Sequence, residues 1–101
     1  MSAGFDIGAG DPLGGMEVSR SGFGAMAESI RRMAESTCRG RVAGVLEGGY
    51  NLVTLREGVQ ATLSALAAKS LPASPPAPAI SEATRRELAP CFELFGKHWN
   101  L

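Results

Sequence analysis

Apolar positions recur along this chain with two periods, and those periods predict its elements. Val42-Ala43-Gly44-Val45-Leu46 is a short, unbroken apolar run of the kind that forms a buried strand. Met1-Ser2-Ala3-Gly4-Phe5 reads as the end of another strand, running into Asp6 with no cap or lead-in. That predicts a chain that starts inside a fold. Between the two strands, Phe23, Met26, Ala27, Ile30, Met33 and Ala34 recur at three- and four-residue spacing, one face of a helix near Ser21–Ser36. Ser19 is its expected N-cap, Glu28–Arg32 an i,i+4 ion pair, and Arg39-Gly40 its stop. After the second strand, Leu52, Leu55, Val59, Leu63 and Leu66 mark the buried stripe of a helix over Leu52–Ala68, with Asn51 as N-cap. Gly58 within it costs about 1 kcal/mol relative to alanine, so it marks close packing against a neighbour.

The order is strand, helix, strand, helix. A crossover helix makes the two strands parallel, so their carboxyl ends lie on one edge of the sheet. Ligands gather at that edge in open α/β sheets. Asp6 ends the first strand and Tyr50, the only tyrosine, follows the second. Topology thus unites a carboxylate and a phenol that the sequence separates. A carboxylate can ligate zinc or another divalent ion, and a phenol can donate to a developing oxyanion. Spacing alone also fits a plain turn with a packed tyrosine at Gly48-Gly49-Tyr50.

After Lys69 the pattern breaks. Pro72, Pro75, Pro76 and Pro78 make residues 70–80 a stiff, extended linker between a domain at 1–69 and a tail at 81–101. In the tail, Ser81 or Thr84 caps a helix running to about Leu88, with Glu87 completing a capping box on Thr84. Pro90 bends or ends it. Cys91, Phe92, Leu94, Phe95 and Trp99 form an aromatic end that should dock on something.

Composition narrows the chemistry. With 101 residues the chain can form one small domain. Ten basic residues balance ten acidic ones, which argues against a nucleic-acid or anionic membrane partner. No apolar run approaches a membrane span, and the N-terminus lacks a signal-peptide pattern, so the expected location is cytoplasmic. Cys38 and Cys91 stand far apart, and one histidine, His98, accompanies them; neither a staple nor a Cys/His zinc site is indicated. Gly8, Gly10 and Gly14 fall one residue off a dinucleotide fingerprint. Pro12 sits where the helix should open and Asp6 and Asp11 repel phosphate, so nucleotide binding is set aside.

Ser2-Ala3-Gly4-Phe5-Asp6, Gly10-Asp11-Pro12-Leu13-Gly14-Gly15 and Gly40-Arg41-Val42 leading to Leu46-Glu47-Gly48-Gly49-Tyr50-Asn51-Leu52 resemble the C-terminal part of zinc-dependent histone deacetylases. The likeness is to the class II-like branch with acetylpolyamine amidohydrolases and acetoin-utilisation-type proteins, and it covers about Ser2 to Leu66. It implies an α/β fold of the parallel-sheet, three-layer arginase/deacetylase type, of which this chain holds the C-terminal portion. It implies that Asp6 is a ligand of the catalytic Zn2+ and that Tyr50 polarises the substrate carbonyl. Leu13 would line the acyl-lysine channel, Gly48 would flank the substrate, and Asp11 would shape its loop rather than bind metal. The substrate would be an acetylated lysine or polyamine. Ile7-Gly8 departs from the small-plus-polar pair expected after the ligand aspartate. The family's His-His pair and Asp-x-His are absent, so its remaining ligands and proton-transfer groups would lie upstream of Met1, in a missing N-terminal part of the domain. The resemblance therefore implies a deacetylase segment inactive by itself. The other reading is a truncated remnant or an α/β interaction module.

Overall fold

The computed structural model describes residues 1–73 and 81–98, and the proline-rich stretch from 74 to 80 and Trp99 lie outside the described residues. Strand β1 (Ser2–Gly4) is followed by helix α1 (Arg20–Cys38), strand β2 (Val45–Gly48), helix α2 (Leu52–Ala67) and helix α3 (Glu82–Phe95). The two strands pair in parallel, Ser2 opposite Val45 and Ala3 opposite Leu46. The register slips at Ala3/Gly4, so Gly4 meets Gly48. Helices α1 and α2 pack against each other. The chain is thus α/β with a parallel crossover, as the two periods require.

Local chemistry explains most boundaries. Ser19 Oγ accepts the N–H of Gly22 and starts α1. Asn51 Oδ1 accepts the N–H groups of Val53 and Thr54 and starts α2. Both satisfy amides that a helix start leaves without partners. At the end of α1 the first left-handed residue is Arg39, φ 57°, with Gly40 next at 73°. The Gly40 N–H returns to the Ala34 carbonyl at 2.9 Å. Strand β2 begins three residues later than the apolar run suggested. Its first ladder contact comes from the Val45 N–H to the Met1 carbonyl at 3.0 Å, so Val42-Ala43-Gly44 is its approach.

The core is small. Phe5 and Phe23 meet with ring centroids 5.0 Å apart, joined by Ala27, Ala34 and Ala65. Its α2 side corrects the leucine stripe. Gly58, Thr62 and Ala65 are the buried residues of α2, whereas Leu52 is 78% and Leu63 60% exposed. The small face lets the two helices close on Phe5. A Cβ on Gly58 would stand 2.6 Å from Phe5 Cδ1, which is the close packing that this glycine implied. Val59, Leu63 and Leu66 instead line an open groove of about 350 Å³ with Ala3, Val42 and Leu46. On α1, Met26 and Met33 are likewise exposed.

Charge placement differs too. The ion pair on α1 is Arg31–Glu35, 3.0 Å, rather than Glu28–Arg32. The same Arg31 donates to the carbonyls of Ala65 and Ala68, filling acceptors left open at the end of α2, while Arg32 donates to the Pro72 carbonyl. Helix α3 is capped by Ser81, not Thr84, and runs on through Pro90 to Phe95. A proline inside a helix removes one N–H donor. Every described residue of α3 is exposed, so water can serve the carbonyl left without that donor. Leu88, Phe92, Leu94 and Phe95 are exposed as well, and the expected docking of the aromatic tail is not seen among the described residues. Cys38 and Cys91 are free thiols.

Candidate active site

Two loops meet at the carboxyl edge of the sheet. The first, 6–15, leaves β1 and carries Asp6, Asp11 and Leu13. The second, 49–51, leaves β2 and carries Tyr50. The Phe5 N–H donates to the Gly48 carbonyl at 2.7 Å, so the last rung of the ladder sets the two loops side by side.

Asp6 lies half-buried over a floor of backbone. A Cβ on Gly4 would stand 2.9 Å from its Oδ1, and a Cβ on Gly48 2.8 Å from its Cγ. A side chain at either position would displace the Asp6 carboxylate from where it stands, so the two glycines form a cradle for it. Gly49 then turns the chain with φ 135°, a conformation that L side chains rarely adopt. Tyr50 follows, 56% exposed, and Leu13 stands 71% exposed on the first loop.

Asp11 joins the loops. Its Oδ1 accepts the N–H groups of Leu13 at 2.9 Å and Gly14 at 3.2 Å. Its Oδ2 accepts those of Tyr50 at 2.7 Å and Asn51 at 3.1 Å. Burial pushes this carboxyl up, but the bonds from Leu13, Tyr50, Gly14 and Asn51 together outweigh it and hold the group below the usual aspartate value. Two further bonds stitch the same loop to the start of α2. Asn51 Nδ2 donates to the Gly10 carbonyl at 2.9 Å and Thr54 Oγ1 to that of Ala9 at 2.8 Å. Loop shaping by Asp11 was what the resemblance implied; its reach to Tyr50 and the parts of Asn51 and Thr54 were not foreseen. The only sequence signal was an N-cap whose amide nitrogen remains available after its oxygen caps the helix.

The matches to known proteins fall on this stretch. The histone deacetylase domain family matches residues 1–66. The chain belongs to the histone deacetylase family. A relative in rice (Oryza sativa subsp. japonica), "Histone deacetylase 10, chloroplastic", is 42% identical over 85% of this chain and 20% of its own length. "Histone deacetylase 14, chloroplastic" of Arabidopsis thaliana is 38% identical over 65% of this chain and 16% of its own. Human "Polyamine deacetylase HDAC10" is 37% identical over 90% of this chain and 12% of its own. The chain therefore spans a fifth or less of these relatives. Its strand–helix–strand–helix order accords with part of a histone deacetylase domain, and the homologous family is one of hydrolases.

For a metal, the structure offers the Asp6 carboxylate at the strand end, close to the backbone of Gly4 and Gly48. Among the described residues no group of three His, Cys, Asp or Glu could hold an ion. Catalytic zinc sites use three protein ligands. The described side chains thus offer one ligand and not a set. No helix of the described residues is long and apolar enough to cross a membrane.

Proposed function

We propose that this chain supplies one wall of a zinc-dependent deacetylase site that hydrolyses acetylated lysine or a related acetylated amine. Asp6 would be a ligand of the zinc, which when bound supplies Lewis-acid activation of the amide. Tyr50 would donate its phenolic proton in a hydrogen bond to the oxygen of the tetrahedral intermediate, where negative charge develops. Leu13 would line the acyl channel and Gly48 would flank the substrate. The observation that carries this reading is the parallel pairing of β1 with β2, which sets Asp6 beside Gly48, two residues before Tyr50. An apolar Leu13 favours the uncharged acyl-lysine stem over a cationic polyamine.

The reading needs two more ligands and a base for water, which the described residues do not offer. Those would come from another part of a deacetylase domain. The open groove lined by Val42, Leu46 and Leu63 offers apolar surface against which such a part could pack. The test is a chimera in which residues 1–66 replace the matching segment of the rice relative. Turnover of an acetyl-lysine peptide by the chimera is expected. A folded chimera that binds zinc but turns over no acetylated peptide or polyamine would speak for the remnant or interaction module instead.

A further inference from the structure

We propose that Asp11 is a positioning residue for Tyr50, a clamp that holds the tyrosine loop in place against the loop carrying Asp6 and Leu13. A carboxylate has about four acceptor sites. In Asp11 four backbone N–H groups occupy them, two from its own loop and two from the loop after β2. Bonds to an ionised acceptor are shorter and roughly twice as strong as neutral ones, and the 2.7 Å bond to Tyr50 is the shortest of the set. Among the described residues Tyr50 has no other anchor of this kind: its side chain is mostly exposed and glycines precede it. The backbone bond is what decides where its Cα, and hence the phenol, stands. Leu13 hangs on the other oxygen of the same carboxylate, so one side chain sets both the channel residue and the oxyanion donor.

What the phenol is positioned against rests on the deacetylase reading; the clamp itself does not. Asp11→Asn separates charge from shape. It keeps the side-chain volume but turns one acceptor oxygen into an NH2 donor, which must face two N–H donors. The experiment is amide hydrogen exchange by NMR on the 101-residue chain, wild type against Asp11→Asn. The expected result is exchange at Tyr50 and Asn51 faster by about tenfold or more, with amides inside α2 such as Ala65 little changed. Unchanged exchange at Tyr50 and Asn51 in a folded Asp11→Ala variant, which keeps neither acceptor oxygen, would overturn the clamp. If the variant does not fold, the wild type answers alone: on acidification the amide protons of Leu13, Gly14, Tyr50 and Asn51 should shift together with the Asp11 carboxyl carbon. Tyr50 and Asn51 amides that stay still while that carbon titrates would overturn the proposal. In the chimera, Asp11→Asn should lower kcat through Tyr50 and raise KM through Leu13, with bound zinc nearly unchanged. Loss of turnover in the unmutated chimera counts against the deacetylase reading, and the exchange comparison still decides the clamp.

Discussion

Asp11 Oδ2 accepts the backbone N–H of Tyr50 at 2.7 Å across 39 residues of sequence. That bond ties the loop after the first strand to the loop after the second. Through it one carboxylate is shared by both loops of the candidate site.

A pH dependence follows. The folded chain holds the Asp11 carboxyl below its ordinary value of 3.8, so the unfolded chain binds this proton more readily. The stabilisation is complete above the unfolded value and is lost as pH falls through the folded one. Thermal melts should therefore show a fall in Tm below about pH 4 that is shallower in Asp11→Asn. Parallel acid profiles for the two proteins would mean the carboxylate contributes nothing measurable.

Gly58 and Gly24 make a matched pair of helical glycines. Replacing either by alanine gains about 1 kcal/mol of helix propensity. At Gly24 the new Cβ meets Ala61 Cβ at 4.0 Å, an ordinary contact. At Gly58 it meets two buried rings, Phe5 at 2.6 Å and Phe23 at 3.1 Å. Overpacking of that kind costs about 1–3 kcal/mol. Gly24→Ala should raise the melting temperature and Gly58→Ala lower it, as read by circular dichroism.

The parallel crossover, both caps and the meeting of Asp6 with the tyrosine loop were legible because each follows from local rules. Asn51 and Ser19 cap helices by their own side chains, and a helix between strands dictates the strand direction. The buried face of α2 was not legible. A leucine stripe signals burial only when something covers it, and here Leu63 lines an open groove while Gly58 packs on Phe5 and Thr62 and Ala65 are buried. Pro90 misled in the same way: an exposed helix tolerates a missing bond that a buried one would not. Nor does one sequence say which acceptors Arg31 and Arg32 each find, since that depends on where the end of α2 and the chain after it come to rest.

Zinc retention by the 101-residue chain is a further check. One cradled carboxylate without two companion ligands should lose the metal on gel filtration, leaving far less than one zinc per chain by elemental analysis. A full equivalent of tightly held zinc would mean that side chains other than the described cluster-forming groups bind it.

The most direct measurement separates Tyr50 from Asp6. In the chimera carrying residues 1–66, Tyr50→Phe should slow acetyl-lysine hydrolysis by about 10²–10³-fold, the usual loss for one oxyanion donor, and leave bound zinc unchanged. Asp6→Asn should deplete zinc. Full turnover after Tyr50→Phe, or full zinc after Asp6→Asn, would contradict the assignment of one site to these two loops.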